Sequence, residues 1–235
     1  GNVHWDQHMK HLLLWDIDGT LIASGGAGMR ALRAGLHTAF GIDGPLDQIE
    51  FAGRTDPWIM RQVFRNFNLP ATPENFDRFF ASYVAALPSA LHHPQARVLP
   101  GVREVLAALT ARGDVAQGLL TGNMRAGARA KLEHHSLWNT FAFGAFADDS
   151  EHRNELGPHA LRRAREHHGV EFRAENTWII GDTPHDIACG RAIGARTLAV
   201  ATGGCSLEEL SRHQPTALVA DLSETEVIVR LLTTR

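Results

Sequence analysis

From about residue 98 onward, short apolar runs alternate with amphipathic stretches, and this alternation limits the fold more tightly than any other feature of the chain. Residues 115–120, 177–180, 197–200 and 217–219 read as strands. Leu99-Pro100-Gly101 opens a helix reaching Ala111, and residues 125–135, 157–168, 185–193 and 224–232 carry helical periodicity. An earlier apolar run over residues 11–15, stopped by Asp16, supplies the first strand. The expected fold class is therefore α/β: a Rossmann-like parallel sheet with helices on both faces and a site at the carboxyl ends of the strands.

Between residues 21 and 97 the pattern changes. Residues 29–40, 57–67 and 74–87 look helical, and no strand is expected among them. The reading is an inserted all-helical cap over residues 23–97, with the α/β core formed by residues 1–22 and 98–235. An insertion at that point lies above the strand ends, where it can cover a ligand and exclude water.

Composition narrows the function classes. The net charge of -3 comes without any Lys/Arg run, so nucleic acid is not an expected partner. The apolar run near the start is too short to span a bilayer or to form a signal-peptide core, so no membrane association or export is expected. Only two cysteines occur, Cys189 and Cys205, without metal-type spacing, which suits free thiols in the cytoplasm. The 14 histidines include adjacent pairs at 92–93, 134–135 and 167–168. Neighbours on a helix diverge by about 100°, so these pairs read as solvated surface residues rather than chelators. Monomer and homodimer are equally open.

Two carboxylates, Asp16 and Asp18, stand one residue apart just past a buried strand and are followed by Gly19 and Thr20. Charges so placed are costly unless something positive binds them, although Asp-Gly is also a common turn. A second apolar run leads through Gly181 into Asp182 and Asp186. If both strands are central in one sheet, four carboxylates converge on one crevice, a donor set suited to Mg²⁺. A third strand runs into Thr121, Gly122 and Asn123, which either close a loop or offer a hydroxyl and backbone N–H groups to a phosphate.

With these residues in view, the sequence resembles the haloacid dehalogenase-like superfamily, in particular its phosphoglycolate-phosphatase-like branch. DIDGTL at 16–21, LLTGN at 119–123 and GDTPHDIACG at 181–190 are similar to three of its motifs in order and spacing. GRTDPWI at 53–59 resembles a cap segment of that branch. The resemblance implies a phosphatase acting on a small phosphorylated metabolite, with 2-phosphoglycolate or a sugar phosphate as candidates. Asp16 would form an aspartyl phosphate, Asp18 would serve as general acid and base, and Thr121, Gly122 and Asn123 would bind phosphate. Mg²⁺ would be held by Asp16, the backbone carbonyl of Asp18, and Asp182, with Asp186 in support. An Asp at position 18 favours phosphate esters, because dehalogenating members lack it.

The branch commonly carries a Lys-Pro segment as its third motif, and none occurs here. Arg153 is expected to supply that cation. Lys131, inside the helix at 125–135, reads as a solvated helix residue and is the competitor. Arg30, after the Gly25-Gly26-Ala27-Gly28 loop, and Arg54 are candidate substrate-binding residues of the cap. A phosphomutase sharing the same intermediate and a catalytically weak phosphate-binding regulatory module are the rival functions.

Overall fold

The computed structural model describes residues 8–234. Residues 1–7 and 235 of the expected core therefore lie outside the described residues. The chain runs β1 (His11–Trp15), β2 (Ile22–Ala23), α1 (Ala27–Phe40), α2 (Asp56–Asn66), α3 (Pro73–Leu91), β3 (Arg97–Val98), α4 (Val102–Thr110) and β4 (Val115–Leu120). It continues through α5 (Arg125–His134), β5 (Gly144–Ala145), α6 (Leu156–His168), β6 (Thr177–Gly181), α7 (Pro184–Ala192), β7 (Arg196–Val200), α8 (Leu207–Ser211), β8 (Ala217–Val219) and α9 (Thr225–Thr233).

Six strands form one parallel sheet in the order β5-β4-β1-β6-β7-β8. β1 is central: Trp15 pairs with Leu119 of β4 on one side and with Ile180 of β6 on the other. The carboxyl ends of β1, β4 and β6 thus lie side by side, as the sequence suggests.

All five residues of β1 are buried, and their alternation divides the core. Leu13 and Trp15 face Val105 and Leu109 of α4 and Ile228 and Leu232 of α9. Leu12 and Leu14 face Leu156, Ala160 and Ala164 of α6. A strand covered on both faces is built mainly of apolar residues, and each leucine so buried contributes roughly 1.5–3 kcal/mol. Trp15 satisfies its one polar atom through Gln117 at 3.1 Å.

The helices α1–α3 make a separate apolar cluster around Phe64, Phe79 and Leu36. Two of them start on threonine caps: Thr55 accepts the Trp58 N–H and Thr72 accepts the Asn75 N–H, each with a proline in the first turn. α3 extends past Pro88 to Leu91 rather than stopping at 87. Two features depart from the sequence reading. β2 lies inside the stretch expected to hold no strand, and its antiparallel pairing with β3 ties the way into the helical segment to the way out. β5, at the sheet edge, has only two residues. No helix among the described residues is long and apolar enough to cross a membrane.

Candidate active site

β1 and β6 each end on an aspartate. Asp16 donates its backbone N–H to Ile180 O at 3.0 Å, which locks the two strand ends together. Its carboxylate accepts the Ile17 N–H at 2.7 Å and faces the guanidinium of Arg153 at 3.3 Å. Asp182 accepts a hydrogen bond from the Thr20 hydroxyl at 2.9 Å. Gly19 adopts φ +80°, and a Cβ there would lie 2.2 Å from an Asp182 oxygen, so only glycine lets the β1 loop approach that carboxylate.

Asp186 is placed by local chemistry. Thr183 and Asp186 form a capping box at the start of α7, with Pro184 in its first turn. One Asp186 oxygen accepts from the Asp182 N–H, the Thr183 N–H and the Thr183 hydroxyl, each at 3.0 Å. The other oxygen binds Arg153. Asp186 therefore organises the β6 loop and has little free acceptor capacity.

Oxygens of Asp16, Asp182 and Asp186 lie within 4.8 Å of one another, the one such group of potential metal ligands among the described residues. Burial, and then the Asp186 charge, pushes Asp16 well above the usual carboxylate range, and the same causes push Asp182 up to about 7. These carboxylates lack a full complement of positive charge. Three hard oxygen donors in an under-neutralised, buried cluster fit a divalent cation. None of the paired histidines belongs to such a group; His134 packs edge-on against His92 and His135.

Asp18 faces the other way. Its carboxylate receives Lys131 Nζ at 3.0 and 3.1 Å and Asn123 Nδ2 at 2.9 Å, which leaves it out of the metal-type triad. Partial burial raises its pKa, but Lys131 and Asn123 outweigh that and hold the carboxyl below its ordinary value. Lys131 is thus a correction to the sequence reading. It is buried, reaches Asn123 Oδ1 at 2.8 Å as well as Asp18, and is not solvated. The helix pattern carried the signal: Gly127, Ala128, Lys131 and Leu132 are the buried residues of α5 and share one face.

The expected residues of the β4 loop come together here. Thr121 is fully buried and its hydroxyl accepts from the Asn123 N–H at 3.1 Å and from Asn123 Nδ2 at 2.8 Å, leaving its own proton to donate. The Gly122 carbonyl accepts the Asp56 N–H at 2.7 Å, and Asp56 in turn accepts the Met124 N–H at 2.9 Å. The start of α2 is therefore fastened to this loop. Thr55 and Arg61 add contacts to Glu151, and Arg153 reaches the Gly53 carbonyl at 3.2 Å.

Of the two arginines expected to bind substrate, Arg54 lines the cavity, bonds Glu50 at 3.2 Å and lies 4.2 Å over the Trp58 ring. Arg30 donates to the carbonyls of Gly25 and Ala90 and is absent from the lining. The structure does not bring it to the site. The cavity encloses about 390 Å³ and includes Asp16, Asp18, Thr121, Lys131, Arg153 and Asp182. Asp56, which lies inside the GRTDPWI segment but was not itself a candidate, and Tyr83, which no sequence signal singled out, also line it.

Residues 13–191 match the family model described as haloacid dehalogenase-like hydrolase. The chain is 27% identical over 221 residues to the probable phosphatase IndB of Dickeya dadantii, covering 92% of each protein. It is 28% identical over 208 residues to a phosphoglycolate phosphatase of Rhodospirillum rubrum, covering 83% of this chain and 81% of the relative. Among solved structures, a hydrolase from Pseudomonas syringae matches with a TM-score of 0.73 at 20% identity, covering 96% of this chain and all (100%) of the other. CbbY from Rhodobacter sphaeroides, solved in complex with phosphate, matches with a TM-score of 0.73 at 16% identity over 92% of this chain and 96% of the other.

Proposed function

The chain belongs to the haloacid dehalogenase-like hydrolase family, and we propose that it is a Mg²⁺-dependent phosphatase that hydrolyses a small phosphorylated metabolite through an aspartyl phosphate on Asp16. One observation carries this reading. Two carboxylates leave the same strand end two residues apart, yet each has its own cation, Arg153 beside Asp16 and Lys131 beside Asp18. Such separation suits two roles, a nucleophile and an acid–base.

Asp16 attacks phosphorus, and the bond from phosphorus to the ester oxygen breaks. Asp18 gives a proton to the departing alkoxide. Water then attacks the phosphorus of the acyl phosphate while Asp18 takes a proton from it, and the bond to Asp16 breaks with release of phosphate. Before substrate binds, Lys131 keeps Asp18 ionised. An arriving phosphate dianion competes for that ammonium and favours protonation of Asp18, readying it as the acid. Arg153, the Thr121 hydroxyl and the Gly122 N–H would hold phosphate oxygens. Mg²⁺ would be held by Asp16, the backbone carbonyl of Asp18, and Asp182, with Asp186 in support, and when bound it offsets repulsion between carboxylate and phosphate.

Residues 23–97 form the cap in this reading, and residues 1–22 and 98–235 the core. The hydrogen bonds from Asp56 to the β4 loop support a closed arrangement over the carboxylates. Cytoplasmic location is proposed on the two free cysteines.

Phosphate release from an aryl phosphate tests the reading. Release should require Mg²⁺, stop with a chelator and be abolished in Asp16→Asn. No release by the wild-type protein with Mg²⁺ present overturns it.

A further inference from the structure

The part of the cavity away from the carboxylate triad is chemically lopsided. Its wall includes Met29 and Leu32 from α1, Phe51, Ile59 from α2 and Tyr83 from α3, and one carboxylate, Asp56, is set among them. The cations around it already have partners, although the buried Nε atoms of Arg54 and Arg153 have none among the described residues. Lys131 serves Asp18 and Asn123. Arg153 serves Asp16, Asp186 and the Gly53 carbonyl. Arg54 pairs with Glu50 and stacks on Trp58 but keeps an unpartnered Nε, and Arg30 is spent on backbone carbonyls outside the cavity.

Asp56 occupies the first turn of α2, and its placement is fixed. Its N–H binds the Gly122 carbonyl and one carboxylate oxygen takes the Met124 N–H, while the other oxygen has no protein donor among the described residues. Burial pushes its carboxyl up to about 6, although Lys131 and the Met124 N–H partly counter this. It thus presents an unanswered acceptor oxygen to the apolar side of the cavity.

We propose that Asp56 determines specificity, and that the leaving group is a compact alcohol bearing a hydroxyl or ammonium donor and an apolar face, but no second anion. This deepens the phosphatase reading above and rests on it. A hydroxyl or ammonium on the leaving group hydrogen-bonds the free Asp56 oxygen while its carbon skeleton lies against Met29, Leu32 and Ile59. A carboxylate or second phosphate at the same place meets Asp56 as a like charge, so Asp56 also acts by exclusion.

The test is a near-isosteric series differing in charge: 2-hydroxyethyl phosphate, phosphoethanolamine and 2-phosphoglycolate, ranked by kcat/KM. An ester that is not turned over is ranked by its Ki against 4-nitrophenyl phosphate. The wild-type protein should favour the neutral and ammonium esters over 2-phosphoglycolate by about tenfold or more. Asp56→Asn keeps an acceptor for the Met124 N–H and should shrink that ratio several-fold, whereas a merely structural role would lower all three alike. A wild-type preference for 2-phosphoglycolate, especially one lost in Arg54→Met, overturns the inference, and so does a ratio unchanged in Asp56→Asn. If 4-nitrophenyl phosphate itself is not hydrolysed, the phosphatase reading falls and this inference with it. If it is hydrolysed and the ranking is reversed, only the inference falls.

Discussion

The two buried cations make different demands on stability, and removing each in turn separates them. Arg153→Met keeps an apolar stem but withdraws the guanidinium from Asp16 and Asp186, whose side chains are only 7% and 3% exposed. Neither carboxylate can turn to water, so the cost should approach the roughly 3–5 kcal/mol typical of breaking a fully buried pair. Lys131→Met strands Asp18 instead, but that side chain is 44% exposed and can be rehydrated. Screening by water reduces its cost to about 1–2 kcal/mol. In a protein of this size each kcal/mol moves the melting temperature by roughly 2–4 °C, so Arg153→Met should lose about 6–20 °C and Lys131→Met about 2–8 °C. The assay is thermal and urea denaturation in chelator-treated buffer near neutral pH. Arg153→Met should also take up a proton on folding, since Asp16 is already held well above the usual range. Equal losses, or a larger loss for Lys131→Met, would refute the assignment of Arg153 as the cation of a closed carboxylate cluster.

Further outcomes follow from the same contacts. A Cβ on Gly122 would lie 2.2 Å from the Arg54 carbonyl oxygen, a backbone atom that can give way only if its segment moves. Gly122→Ala should push residues 51–56 off the β4 loop and cut kcat/KM by about tenfold to a hundredfold while circular dichroism stays unchanged. Mg²⁺ at about 100 times its Kd should stabilise the protein by roughly 2.7 kcal/mol, and Asp182→Asn should abolish the gain in a thermal scan. For Asp56, the folded-state value of about 6 lies above the ordinary 3.8, so the native state binds more protons between those values and stability falls as pH rises through them. Asp56→Asn is spared that loss, and its advantage in denaturation should grow from about pH 4 to 7 to roughly 1–3 kcal/mol. A gap that stays flat with pH would contradict the burial of an ionised Asp56.

Much of the site was legible because β1, β4 and β6 are buried on both faces. Strands so placed are dominated by apolar residues, and the polar residue just past the last apolar stretch marks the strand end. Asp16, Thr121 and Asp182 are those stops. Lys131 was not legible from α5 taken alone, since RAGARAKLEH is largely polar and a lysine in such a stretch ordinarily reaches water. Only the approach of Asp18, 113 residues earlier in the chain, makes its burial tolerable. β2, β3 and β5 are two residues each, shorter than any period can register. Asp56 looks like an ordinary acidic residue in a helix's first turn, and its place in the cavity arises from tertiary packing that local pattern does not encode.

The covalent intermediate on Asp16 is the central claim, and Asp18→Asn tests it most directly. With 4-nitrophenyl phosphate the leaving group needs no proton, so the first step should proceed in this variant while hydrolysis, which needs Asp18 as base, stalls. Rapid mixing should give a burst of about one nitrophenolate per active site, and acid-quenched protein should carry a hydroxylamine-labile phosphoryl group on the peptide containing Asp16. Steady release without a burst and no label on that peptide, from protein that binds the ester, would contradict the account.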